Sequence, residues 1–287
     1  MASYLNNPTL AANFLSPVRT TYDVLGSSVD GGRNGVGESQ TIEMSGGGIV
    51  TATYEDCKIK DPEQYEYVNW LGARLNGGFR FINVPIITDW FGPFPKIGGL
   101  PTPIIDHIRH APATAAQAAN IAWSDAGDLD QQLVWDDGAG VAQNIAWDTD
   151  QTYPLSQGAL FSDGSGYSQA TVRGEITEAA GGNAGIISMR VYGLSRPLRW
   201  SDWFSICHPT KGWRAYRYWE VLDKSDEENP VYRLALAPPL REAVTVGQRV
   251  EFARPRFVAK FKADFTLPSV VEAFFVTQQT IQFSEAF

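Results

Sequence analysis

Three histidines, two cysteines and a run of aspartates carry the most obvious chemistry in this 287-residue chain. His107 and His110 stand three apart, a spacing that turns two imidazoles to one helix face for a metal ion. Pro103 and Pro112 bracket the pair, however, and the sequence places no third ligand. His208 follows Cys207 directly. A Cys–His catalytic pair needs facing side chains, and neighbours on a strand point to opposite faces. Serine chemistry lacks its G-x-S-x-G elbow, because Gly164-Ser165-Gly166 is a turn triplet with no apolar strand before it. Asp125, Asp128, Asp130, Asp136, Asp137, Asp148 and Asp150 hold enough oxygens for calcium, or a carboxylate pair for glycoside hydrolysis. They equally suit solvated turns, and no D-x-[DN]-x-[DN]-G loop orders them. The expectation is a chain with no catalytic set, no metal and no cofactor.

The aromatic residues point toward binding instead. Asn120-Ile121-Ala122-Trp123 recurs as Asn144-Ile145-Ala146-Trp147, with Leu133-Val134-Trp135 midway. Trp123, Trp135 and Trp147 are thus evenly spaced, and each is trailed by aspartate. Exposed, such rings stack on sugars while acids and amides bond the hydroxyls. Turned inward, they form the core of a small meandering sheet. Farther on, arginines alternate with aromatics in Arg199-Trp200, Trp213-Arg214 and Tyr216-Arg217-Tyr218, followed by Arg241, Arg254 and Arg256. These six arginines are candidate interface residues that meet an acidic partner surface.

Charge is distributed unevenly. The chain carries a net −9, with 3 bases against 11 acids in residues 101–190 and 13 against 8 in residues 191–262. A net acidic chain is a poor general nucleic-acid binder, since such binding runs on displaced counterions. Segments of opposite sign instead suggest contact between subunits or between domains. Cys57 and Cys207 have no metal or redox spacing and are expected to be free thiols of a reducing compartment. Met1 to Asn7 has neither a basic stretch nor an apolar one, so no secretory signal is expected, and no apolar run is long enough for a membrane span.

These residues must be positioned mainly by strands. Ser27 to Gly37 and Gly46-Gly47-Gly48 read as flexible turns, without the lysine or the strand–helix context of a phosphate loop. Asp61-Pro62-Glu63 starts the single convincing helix, with Val68, Leu71 and Leu75 at helical spacing and Gly77-Gly78 as its stop. Pro93, Pro95, Pro101 and Pro103 mark a linker. From residue 171 onward, alternating runs such as Trp203–Ile206, Tyr232–Leu236 and Phe257–Phe261 predict antiparallel strands. The fold class is therefore all-β with one short helix, arranged as an antiparallel sandwich or barrel.

Two blocks together resemble a known family. The first is Trp70-Leu71-x-x-x-Leu75-Asn76-Gly77-Gly78-x-Arg80-Phe81-x-x-x-Pro85. The second starts with Asp202-Trp203-Phe204-Ser205-Ile206-x-His208-Pro209 and Pro238-Pro239-Leu240-Arg241-Glu242-Ala243-Val244. It continues through Arg254-Pro255-Arg256 to Phe283-Ser284-Glu285-Ala286-Phe287. Their order is similar to that of distal tail proteins, tail-tip components of long-tailed (siphovirus-like) bacteriophages and gene transfer agents. The resemblance implies a structural, non-enzymatic virion protein, assembled in the host cytoplasm as a hexameric ring between the tail tube protein and the hub or receptor-binding proteins. It implies a β-sandwich belt domain from residues 1–100 and 191–287, with 101–190 as an inserted acidic β-rich domain. A rival expectation is a carbohydrate-binding module, in which the insert contacts host-surface glycans. A third is a polysaccharide hydrolase using the aspartates of 125–150.

Overall fold

The computed structural model describes residues 3–26, 28–33, 35–43, 47–88, 90–97, 100–101, 103–106, 132–136, 142–146, 168–170, 172–200, 202–268 and 277–287. The first elements are α1 (Ala12–Leu15), β1 (Arg19–Leu25), β2 (Ser28–Arg33), β3 (Ser39–Glu43), β4 (Ile49–Ile59), α2 (Pro62–Leu75) and β5 (Ile82–Pro85). Short strands follow as β6 (Lys96–Ile97), β7 (Leu100–Pro101), β8 (Ile104–Asp106), β9 (Gln132–Asp136), β10 (Ala142–Ala146) and β11 (Ser168–Ala170). The rest are β12 (Arg173–Ile176), β13 (Ile186–Tyr192), β14 (Trp203–His208), β15 (Gly212–Lys224), β16 (Val231–Ala237), β17 (Arg249–Glu251), β18 (Arg256–Phe261) and β19 (Thr277–Glu285).

The fold is all-β, as the alternation of apolar residues predicts. One body is a five-stranded antiparallel sheet in the order β1-β4-β19-β18-β5. Strand β4 buries Val50, Ala52 and Tyr54, then Cys57 and Ile59, so its inward phase slips by one residue. Asp56 sits at the slip with φ +52°, opposite a register shift between Gln279 and Ile281 of β19. A bulge of this kind adds one residue and re-aims the side chains beyond it.

Helix α2 covers this sheet. Pro62 occupies its first turn, and the Gln64 amide oxygen accepts from the backbone N–H of Lys60 at 2.7 Å, satisfying a donor beside the helix start. Val68, Leu71 and Leu75 are buried with Val84, Phe257 and Phe283 in one core. At the other end, Asn76 Nδ2 donates to Leu267 O (3.2 Å) and Asn76 Oδ1 accepts from Leu267 N (2.9 Å), strapping the helix terminus to the loop after β18. Asn76→Ala is expected to lose about 1–3 kcal/mol, because two backbone groups lose their partners. A urea midpoint measures that loss.

The second body is a closed six-stranded barrel, β12-β13-β16-β15-β14-β17, antiparallel throughout. Its interior holds Met189, Phe204, Tyr216, Tyr218, Leu234 and Phe252. Gly174 lies where a Cβ would come within 2.9 Å of Val250 and 3.0 Å of Phe252, so β12 approaches its neighbours more closely than a side chain permits.

Two expectations are corrected here. The boundary drawn at residue 190 cuts through β13, because residues 173–192 pair with β16 and β17 and belong to the barrel. The acidic excess that suggested the boundary comes largely from aspartates before residue 164, well upstream of the barrel. Residues 173–287 accordingly supply the whole barrel and two strands of the sheet, β18 and β19. The glycine-rich stretch at 27–37 is not a plain turn, since β2 pairs with β3 as a hairpin whose register shifts between Asp30 and Arg33. Gly32, at φ +76°, permits that shift.

Within the expected insert, β8 and β11 pair as a two-stranded stem, and β9 pairs with β10. No helix among the described residues is long and apolar enough to cross a membrane.

Candidate functional site

Arg214 of β15 shares the inward face of its strand with Tyr216 and Tyr218, and this charged side chain is fully buried at the junction of barrel and sheet. Its Nη1 donates to Glu285 Oε1 (3.1 Å) and to the Ala286 carbonyl (2.7 Å), and its Nε donates to Lys211 O at 3.0 Å. Arg241, on the loop after β16, donates from Nε to Glu285 Oε1 (3.1 Å) and from Nη2 to Glu285 Oε2 (2.7 Å). Val50 N of β4 also reaches Oε2, at 3.2 Å. One buried carboxylate thus accepts four bonds from the barrel side and from the sheet. The rings of Tyr4 and Phe287 cover the two guanidinium groups at 4.9–5.3 Å. Such a cluster holds only if every partner is in place, since a buried charge without its counter-ion is costly.

His208 joins the same network. It is buried, and its Nε2 lies 2.7 Å from Tyr216 Oη, which in turn accepts the backbone N–H of Arg241 at 3.0 Å. Tyr216 Oη and His208 Nε2 share one hydrogen bond whose donor is set by the imidazole tautomer. Burial pushes the His208 pKa down to about 4, against a weaker upward pull from Glu242, with Arg214 adding a further push down. Burial by itself would raise the Glu242 carboxyl, but hydrogen bonds from the Thr210 and Lys211 backbone and the Thr210 hydroxyl outweigh it and hold the group low. The burial of Tyr216 drives its phenol far up. The network thus joins the two β bodies through buried ion pairs and hydrogen bonds.

The six expected interface arginines do not share one fate. Arg214 and Arg241 are corrected to internal residues, because Glu285 draws both inward. Arg217 stacks over Trp203 at 5.5 Å and Arg256 over Trp213 at 4.3 Å, both half-buried. Arg199 and Arg254 are exposed. Trp123 and Trp147 lie outside the described residues, as do His107, His110 and the aspartates except Asp136. Trp135 and Asp136 are described only as backbone in β9, where Trp135 pairs with Gln143. Cys57 and Cys207 are free thiols, and burial raises the Cys57 pKa to about 11, leaving a poor nucleophile at neutral pH. Among the described residues, no three His, Cys, Asp or Glu side chains come together as metal ligands.

A further surface escaped the sequence reading. Trp90 and Trp200 are 79% and 72% exposed, and Phe91 is 53% exposed. Their loops are tied together beneath them. Arg196 forms a two-pronged pair with Asp202 at 2.6 and 2.8 Å, and its Nη2 also donates to Phe91 O. Ser195 N donates to Pro93 O at 3.0 Å and Ser195 Oγ to Phe94 O at 2.9 Å, while the Phe94 ring plugs the barrel core. Alternation cannot separate Trp200 from Trp203, which is 7% exposed, because the two belong to a loop and a strand that meet at Asp202.

Comparison with models of known protein families gave no match, and comparison with curated proteins gave none either.

Proposed function

We propose that this protein is a structural component of a phage tail tip, similar to a distal tail protein. In this reading it forms a ring that joins the tail tube to the host-recognition apparatus, and it works by assembly rather than by catalysis. The observation that carries the reading is the Arg241–Glu285 pair at 2.7 Å. It ties Pro238–Val244, the most distinctive stretch of the resemblance, to the closing stretch Phe283–Phe287, 44 residues apart at the contact. The first block of the resemblance joins them in space, since β5 pairs with β18 beside β19. Residues that resemble a family in scattered blocks thus form one continuous piece of the molecule.

The test is immunogold labelling of tailed particles with antibodies to the purified chain. Gold confined to the distal end of the tail is the expected result. Particles that carry no label, or carry it on the head or along the tube, sink the reading.

A further inference from the structure

The exposed aromatic platform calls for an occupant. Trp90, Phe91 and Trp200 leave upward of about 400 Å² of ring surface in water, roughly half of what one partner contributes to a standard protein interface. A rigid underside of buried ion pair and backbone bonds holds these rings in place, so binding need not order them first. Tryptophan beside arginine is also the usual composition of an interface hot spot. Exposed cations next to these loops in the sequence are Arg199, adjoining Trp200, and Lys96, two residues beyond Phe94.

A surface of matching chemistry lies elsewhere on the same chain. Strand β15 outruns β14, whose pairing stops at Arg217, and residues 219–224, still paired with β16 on the other side, are all exposed. Trp219 is 62%, Leu222 43% and Val221 37% exposed. The turn beyond carries Asp223, Asp226, Glu227 and Glu228 against the single base Lys224. The hairpin is closed by Ser225 N to Val231 O and Val231 N to Ser225 Oγ, both 2.9 Å. Arg190 braces the tip through Glu227 and the Asn229 carbonyl. It is a braced edge of the barrel wall, with Trp219, Val221 and Leu222 exposed along β15 and an acidic turn at its end.

We infer that the Trp90–Phe91–Trp200 platform of one copy receives the β15–β16 hairpin of a second copy, rings against Trp219 and Leu222, and Arg199 and Lys96 against Asp226 and Glu228. This names the subunit contact of the ring proposed above and rests on that reading. Two different patches meeting head to tail is the interface type that generates rings or filaments.

Native mass spectrometry of the full chain tests it with charge reversals at exposed positions. The platform variant is Arg199→Glu with Lys96→Glu, and the hairpin variant is Asp226→Arg with Glu228→Arg. Each variant alone is expected to need at least about tenfold more protein to assemble. An equimolar mixture of the two should regain assembly as alternating copies, because native faces pair with native faces and reversed faces with reversed ones. A chain carrying all four changes should regain assembly. Near-native thermal midpoints for the variants confirm that they fold.

Assembly indifferent to both reversals overturns this contact and leaves the tail-tip reading standing. A wild-type chain that stays monomeric up to roughly 100 μM, where only negligible affinities remain unseen, also overturns it. So does a monomer whose glycan-array signal disappears with Trp200→Ala, which would assign the platform to sugar. Self-assembly through these faces in a protein that labels no particle would keep the contact and remove the tail.

Discussion

Glu285→Gln is expected to lower the free energy of unfolding by about 3–5 kcal/mol, the range found when one member of a buried ion pair is removed. Glutamine has nearly the same shape, so packing is not the cause. The loss arises because Arg214 and Arg241 would then face each other, buried, without a counter-charge. The effect should appear as a lower denaturant midpoint with an unchanged slope, since the folded surface is the same. Arg241→Met in the Glu285→Gln background should recover part of the loss, because it removes one of the stranded charges. A midpoint within experimental scatter of wild type would mean that water reaches the junction, contrary to its burial.

The second large effect is in pH. His208 has a pKa of about 4 in the folded chain against an ordinary 6.5. Between those values the unfolded chain binds a proton that the folded chain refuses. Stability is therefore complete above about pH 6.5 and declines as pH falls toward 4, by an amount on the order of 3 kcal/mol. The groups facing the imidazole are Tyr216, Glu242 and Arg214, and only Glu242 favours its charged form. Glu242, held below its ordinary range, adds a loss of the same sign at still lower pH. His208→Gln should flatten the profile between pH 6.5 and 4 while retaining an amide partner for Tyr216. Parallel profiles for wild type and variant would assign the acid sensitivity to other groups.

Much of the scaffold is legible in the sequence because local patterns and the final structure agree. The strands β14, β16 and β18 follow from alternation, and α2 follows from Asp61-Pro62 and the spacing of Val68, Leu71 and Leu75. What was not legible depends on residues distant in sequence. Alternation puts Arg214 in phase with the inward Tyr216 and Tyr218, but the carboxylate that makes a buried charge tenable there lies 71 residues away. The domain boundary failed for a related reason. Net charge describes solvated turns, whereas barrel membership of β12 and β13 is decided by pairing with strands farther along the chain. The aromatic platform was missed because periodicity says which face of a strand is buried but is silent on loops.

The stem formed by β8 and β11 has a consequence for how this protein can change over evolutionary time. Ser168 pairs with Asp106, so the chain leaves the body and returns to it at positions about 5 Å apart. Among the described residues between these positions, β9 and β10 belong to neither the five-stranded sheet nor the barrel. A segment that enters and leaves through adjacent doors can be lengthened, shortened or exchanged without moving any strand of either body. The stem is thus a socket, at which a segment can be exchanged while Glu285 and its two arginines stay as they are.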